Sequence, residues 1–234
     1  MQEKVKKFEN ENFVVSWNTE SDKKLANDIF DKLNMKAQEI SNFFGLKTLP
    51  KKVPVKLYDD YDEFKNYVTK AMGSCENFVR GYAGNGEINM LNVEMCRTKT
   101  THINAIEKDI CLGVVHELAH IYHDFYVEQK GNKNCPIFIC EGIATQLGEQ
   151  RYYQRDKILC KASDLLANFY NKKGNYANAY TLMGYMMQKY PHNELLDILS
   201  WNTPLSEDKL DAMIVEANEY LAEQQSNNNV NSNV

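Results

Sequence analysis

The chain has 234 residues, of which 43% are hydrophobic and 25% are charged, so its composition is that of a globular domain with a sizeable core. Its 27 basic and 32 acidic residues give a net charge of −5 without any basic stripe, which argues against nucleic acid as a partner. No apolar run approaches the ~20 residues that cross a bilayer, so the sequence predicts no membrane partner either.

The cysteines and the first residues bear on the compartment. Six cysteines occur, none of them in a CxxC pair, and a chain of this length does not depend on disulfides for its stability. Residues 1–12 read MQEKVKKFENEN and lack the apolar stretch of a signal peptide. We therefore expect reduced thiols in a cytoplasmic protein. Export followed by removal of a signal peptide stays open as an alternative.

The N-terminal part of the chain predicts alternating strands and helices. Apolar residues at alternating or helical spacing predict a strand over 12–17, a helix over 22–44, a strand over 53–59 and a helix over 62–72. The pair Asn85-Gly86 then separates two extended runs, 78–83 and 87–92. The tightest hairpin turn needs a positive φ at both central positions, which Asn and Gly tolerate, so we expect a β-hairpin here.

The rest of the chain predicts helices only. Asn104 followed by Glu107 fits a capping box, which places a helix start there. Helical spacing predicts helices over 105–128, 137–151, 156–170, 176–190 and 206–224. The expected fold class is α+β, with a small twisted N-terminal sheet and a helical C-terminal lobe. The predicted organisation is one domain over 1–224, with lobes of about 1–103 and 104–224, and a disordered polar tail over 225–234.

The most informative segment is CLGVVHELAHI, residues 111–121. His116 and His120 are four residues apart, so a helix places both imidazoles on one face, about one turn apart. Glu117 is rotated by about 100° from His116 and cannot join the same metal shell, but it can reach a water beside the metal. This HExxH pattern is typical of zinc sites with two ligands and a general base. The motif also arises by chance, yet two imidazoles beside a carboxylate would be costly in so apolar a segment without a metal.

A third protein ligand is expected downstream, in PIFICEGIATQLGEQ, residues 136–150. Glu141 has apolar neighbours on both sides, where an unpaired carboxylate is unfavourable and a cation would compensate for its charge. Two alternatives stay open from the residues alone. Glu141 could be an acid that stabilises a helix N-terminus through the macrodipole, and Glu149 could be the ligand instead, although its surroundings are more polar.

HELAH at 116–120, followed by PIFICEGIA at 136–144, resembles the gluzincins, and in particular the small bacterial peptidase MA-like zinc metallopeptidases. Members often show the pattern P-x-W-L-x-E-G-x-A, in which this chain has Phe138 at the tryptophan position. The resemblance spans roughly residues 50–200 and is specific only at the two motifs. It implies a zincin-like fold.

The resemblance also implies a site and a reaction. It predicts a Zn²⁺ ion held by His116, His120 and Glu141, with water completing the coordination. Glu117 would act as general base while water attacks a peptide bond. The expected function is therefore that of a zinc-dependent peptidase acting on a peptide or protein substrate.

Two further expectations follow from the same resemblance. Gluzincins supply a tyrosine that steadies the oxyanion, and the segment NYANAYTLMGYMMQKYP places it at Tyr176, with Tyr180 as the runner-up. Substrate is expected to lie extended along a sheet edge, for which the strand over 87–92 is the candidate. Gly81 and Gly84, in the first arm of the hairpin, would allow a close backbone approach there, but they are interpreted as turn or bulge glycines.

Other interpretations remain. The chain could be a zincin-fold regulatory or binding module that holds zinc without general proteolytic turnover, or a structural protein without a metal. Endopeptidase action is favoured slightly over aminopeptidase action, and the oligomeric state is open. Of the remaining side chains near the motifs, His123 and Asp124 are expected to support the ligands or lie at the surface, and Cys140 is expected to be a packed thiol.

Overall fold

The computed structural model describes residues 5–47 and 51–231, with side chains through residue 227. The chain divides into two compact units, residues 1–125 and 126–234. The dividing point falls inside one long helix, Glu107–Gln129. Among the described residues, no helix is both long and apolar enough to cross a membrane.

The first unit is built on a five-stranded mixed sheet. Its strands are β1 Lys6–Glu9, β2 Phe13–Trp17, β3 Val53–Tyr58, β4 Gly81–Gly84 and β5 Glu87–Leu91, in the order β1-β2-β3-β5-β4. The central strands β2, β3 and β5 run parallel, whereas β1 and β4 are antiparallel to their neighbours. The predicted strands over 12–17 and 53–59 are confirmed. β1 was not predicted, because its sequence KKFE has a single apolar residue, as suits an edge strand.

Of the four helices of the first unit, three were predicted and the third along the chain was not. They are α1 Lys23–Phe43, α2 Tyr61–Met72, α3 Val93–Lys99 and α4 Glu107–Gln129, the last of which continues into the second unit. The Asp60 side chain caps α2 by accepting hydrogen bonds from two backbone N–H groups, and Gly73 ends it with φ 85°. α1 packs on the sheet face that carries the buried residues of β2. A sheet in the N-terminal part with helices after it confirms the α+β class.

The predicted hairpin is confirmed, but the other one of its two strands forms the edge of the sheet. Asn85 and Gly86 have φ values of 56° and 77°, as the two-residue turn requires. β5 lies between β3 and β4, so the edge strand is β4. The prediction that the strand over 87–92 forms the open edge is therefore wrong. The reason is that β5 pairs in parallel with β3 on one side and with β4 on the other.

The helix that carries the HExxH motif begins slightly later than predicted. The Asp109 side chain accepts a hydrogen bond from the Ile106 backbone N–H at 2.9 Å, which is the reciprocal half of a capping box. Glu107, which was predicted to fill that role, forms an ion pair with Lys24 at 2.6 Å instead. The capping prediction at Asn104 is therefore wrong by two residues, and the helix itself is confirmed.

The second unit is helical. Its helices are α5 Ile137–Leu147, α6 Ala162–Leu166, α7 Asn175–Lys189, α8 His192–Ser200 and α9 Glu207–Asn231. α7 matches its prediction, and α9 continues past its predicted end at 224. The last residues of the predicted tail, 232–234, lie outside the described residues. α8 was not predicted, because Pro191 was interpreted as part of a loop, whereas it precedes the first residue of the helix.

The predicted helix over 156–170 is wrong. Only Ala162–Leu166 is α-helical there, and residues 156–161 before it form no regular structure. The Ile158 N–H donates to the Asn218 side chain at 2.8 Å, and the Leu159 N–H donates to the Asn178 side chain at 3.0 Å. These side chains replace the carbonyl groups that a helix would have offered, so tertiary hydrogen bonds override the local helical pattern.

Candidate metal centre

His116 and His120 lie on one face of α4, as their spacing predicts. Their Nε2 atoms are 3.0 Å apart, and their rings meet edge to face with 4.6 Å between centroids. Two nitrogens that bind one zinc ion at 2.0–2.1 Å in a tetrahedral arrangement lie roughly 3.3 Å apart. The pair therefore needs only a small adjustment to share a cation.

Glu117, the residue after His116, reaches toward the edge strand β4. A Cβ atom placed on Gly81 would overlap the Met90 Cε atom and lie 2.8 Å from the Glu117 Oε1 atom, so these side chains would have to shift. β4 therefore passes close to this carboxylate and to Met90, which is the close approach that the sequence left open, and Gly81 pairs within the strand rather than in a turn or bulge. The open edge of the sheet and the predicted general base adjoin each other.

Two further ionisable groups lie within electrostatic reach of the motif. Burial raises the pKa of the Tyr82 phenol, and the carboxylates of Glu117 and Asp124 add to that rise. Burial also raises the pKa of the Asp124 carboxyl, whereas the imidazoles of His120 and His123 lower it. Asp124, one turn after His120, thus lies where a carboxylate that orients a ligand imidazole is expected.

Glu141 lies in the second turn of α5, and only 8% of its surface is exposed. No acidic residue occupies the first turn of α5, so the interpretation of Glu141 as an acid at a helix N-terminus is wrong. The Tyr170 hydroxyl donates a hydrogen bond to Glu141 Oε1 at 3.3 Å. α5 packs closely on α7, since a Cβ on Gly142 would come within 3.0 Å of the Ala179 carbonyl oxygen.

The three predicted ligands have their donor atoms close together. The nitrogen and oxygen atoms that His116, His120 and Glu141 can offer all lie within 4.8 Å of one another. Glu149, the alternative ligand, belongs to no such group among the described residues and follows the end of α5 with φ 55°. Two imidazoles and a carboxylate are a donor set that zinc accepts, so these residues fit that ion.

Tyr176 and Tyr180 lie on α7 in different surroundings. Tyr176, the second residue of α7, contacts an aromatic cluster that includes Tyr170 at 6.4 Å between ring centroids. Tyr180 is buried, and burial raises the pKa of its phenol. Tyr170 itself was missed, because it lies in the segment that was predicted as the end of a helix. Nothing in the sequence pattern indicates that its half-exposed phenol bonds to Glu141.

Comparison with protein families and with curated proteins identified no relative of this chain. No family model matches the chain, and no curated protein matches it. The resemblance to gluzincins therefore depends on the two motifs and on the side chains around them.

A second group of possible ligands was also missed. His123, Cys135 and Cys140 offer donor atoms within 4.8 Å of one another. Each thiol also lies near a backbone carbonyl, with 3.6 Å from Cys135 Sγ to the Leu199 oxygen and 3.8 Å from Cys140 Sγ to the Cys135 oxygen. The C-x4-C spacing was the available signal. Because thiolates also bind zinc, a measurement of metal content has to separate this group from the histidine pair.

Proposed function

We propose that this protein is a zinc-dependent peptidase in which His116, His120 and Glu141 hold Zn²⁺. The observation that carries the proposal is the close approach of these three donor groups beside Glu117, which touches the open edge of the sheet. Nitrogen from imidazole and oxygen from a carboxylate leave one coordination position for water in such sites.

The residues divide the chemistry among them. Bound zinc would polarise water and a substrate carbonyl. Glu117 would accept a proton from the attacking water and later donate it to the leaving amine. The phenol of Tyr176, or that of Tyr180, would donate a hydrogen bond to the developing oxyanion.

The edge strand β4 supports a peptide as the substrate. Among the described strands β4 pairs only with β5, so its other side presents backbone N–H and C=O groups to an incoming chain. An extended peptide that pairs there would pass Gly81 and therefore Glu117. A strand open along its length favours cleavage within a chain over removal of a terminal residue.

A cytoplasmic location is the compartment that the cysteines favour. All six belong to the described residues, and no disulfide joins any of them. Burial raises the pKa of the Cys96 and Cys111 thiols to about 11 and that of Cys160 to about 12, which keeps them protonated at neutral pH.

The decisive experiment combines metal analysis with a cleavage assay. The protein carrying Cys135→Ser and Cys140→Ser, purified with zinc, should contain one zinc ion per chain and should cleave a peptide library. Glu117→Gln should keep that ion and lose all but a small residual rate of cleavage, because only the base is removed. Glu128→Gln, an exposed acid further along α4, is the matched control and should retain both properties.

The other outcomes separate the alternatives. One zinc ion per chain without cleavage of any library member would favour a binding module over an enzyme. Absence of bound zinc in the cysteine variant would remove the proposed metal site altogether.

A further inference from the structure

The first unit has a second cleft, on the other face of its sheet. In β5, Met90 points toward Gly113 of α4, and alternation along the strand turns Asn89 to the opposite face. There the cleft is bounded by β2, β3, β5 and α2, and its volume is about 630 Å³. It is therefore separate from the side on which His116 and His120 lie.

Asn89 leaves one strong donor unsatisfied in this cleft. The residue is only 3% exposed, and its Oδ1 atom accepts a hydrogen bond from the Tyr58 hydroxyl at 2.9 Å. Its Nδ2 atom has no hydrogen-bond partner. Buried amide groups are almost always paired, so an unpaired one that lines a cleft points to an acceptor supplied by a ligand.

Tyr67, on the wall of the cleft, does not supply that acceptor. Its hydroxyl donates to Glu87 Oε2 at 3.2 Å. Burial raises the pKa of the Tyr67 phenol, and the nearby Asn89 amide opposes that rise, so the two groups are neighbours. The Asn89 Nδ2 atom nonetheless forms no hydrogen bond with this phenol.

The charges that line the cleft are balanced. Lys56 forms an ion pair with Glu63 at 2.5 Å and lies 4.3 Å from the centre of the Tyr58 ring. The exposed Lys70 and the half-buried Glu87 supply one further charge of each sign. A ligand that matches this lining carries no net charge but has both an anionic and a cationic end.

We propose that this cleft binds a free dipeptide through its two termini. The carboxylate would accept a hydrogen bond from Asn89 Nδ2 and lie near Lys70, and the ammonium group would donate to Glu87. The phenol rings of Tyr58 and Tyr67 offer apolar surface to the side chains between the two ends. The proposal does not depend on zinc or on peptidase activity.

The test measures binding by calorimetry with glycyl-L-leucine, using the full chain with Glu117→Gln to prevent turnover. The free dipeptide should bind at least tenfold more tightly than its N-acetyl form or its C-terminal amide. Asn89→Leu should weaken binding of the free dipeptide at least tenfold, and Lys70→Ala should weaken it in a chain whose fold is unaffected, because Lys70 is exposed. Asn42→Leu, an exposed change on α1, is the control that should bind normally.

Two further variants decide where the dipeptide binds. Binding should persist in His116→Ala, because the cleft and the histidine pair are on opposite faces of the sheet. Glu87→Gln should abolish the preference for the free amine over the N-acetyl form. The proposal is overturned if the dipeptide fails to bind at millimolar concentration, or if binding is lost in His116→Ala and kept in the Asn89 and Lys70 variants.

Discussion

α4 and α7 both contribute to the proposed chemistry, but their side chains are positioned in different ways. His116 and His120 are set by one turn of one helix, which alone brings their Nε2 atoms to 3.0 Å. Tyr176 is positioned by two other segments, since its ring packs against Tyr153 in one of them and against Phe169 and Tyr170 in the other. A role that depends on one helical turn can be assigned from spacing, whereas a role that depends on tertiary packing cannot.

The largest expected effect tests the helix-borne pair. His116→Ala should lower zinc affinity by at least 100-fold, because even residues that only support a ligand are worth about 10–100-fold. Cleavage should fall below detection together with the metal. Elemental analysis after dialysis, with Cys135→Ser and Cys140→Ser also present, and the library assay measure the two quantities. His192→Ala changes a histidine at the start of α8 and should leave both intact, so equal losses in the two variants would contradict the assignment.

The next effect tests the tyrosine that packing positions. Tyr176→Phe should lower kcat by about 100-fold with KM and zinc content unchanged, which is the cost of losing one oxyanion donor. Steady-state kinetics on the best library peptide measures it. Tyr190→Phe, at the other end of α7, is the matched control. If Tyr180→Phe or Tyr170→Phe shows the loss instead, the donor role moves to that residue.

A smaller effect tests the contact between the sheet edge and the general base. Gly81→Ala places a methyl group against Met90 Cε and 2.8 Å from Glu117 Oε1 and should shift both side chains. We expect a fall in kcat/KM of roughly 10-fold, because displacements of the order of 1 Å in a catalytic group are costly.

A double-mutant cycle identifies the cause of that fall. In the Glu117→Gln background the added methyl group should cost nothing further in the residual cleavage rate, because the group it displaces no longer acts as a base. An additive loss would mean that Gly81→Ala acts through the strand or through substrate binding rather than through Glu117.

Particular residues show what the sequence could and could not predict. The turn at Asn85-Gly86 depends only on these two residues, and the hairpin was correctly predicted. The order of β4 and β5 in the sheet was not, because strand order depends on pairing with β3. For the candidate site, the HExxH spacing predicted the approach of the two imidazoles, but nothing in the sequence marked Tyr170 as the partner of Glu141.

The segment before α6 tests the same contrast between local spacing and tertiary contacts, and its expected effect is the smallest. Asn218 accepts a hydrogen bond from the Ile158 N–H at 2.8 Å and donates one to the Ile158 carbonyl at 3.2 Å, while Ile158 is 2% exposed. Asn218→Leu leaves both buried backbone groups unpaired and should lower the free energy of unfolding by about 2 kcal/mol. Urea unfolding followed by Trp201 fluorescence in a Trp17→Phe background reports on the second unit.

Asn202→Leu is the matched control, since Asn202 also bonds a backbone carbonyl but is exposed, and a change of less than about 0.5 kcal/mol is expected there. Equal effects of the two substitutions would mean that Asn218 does not hold this segment. The failure of the predicted helix over 156–170 would then need another cause, such as the intrinsic preference of those residues. A larger loss at Asn218 would instead support the view that hydrogen bonds from distant side chains stabilise the non-helical conformation of this segment.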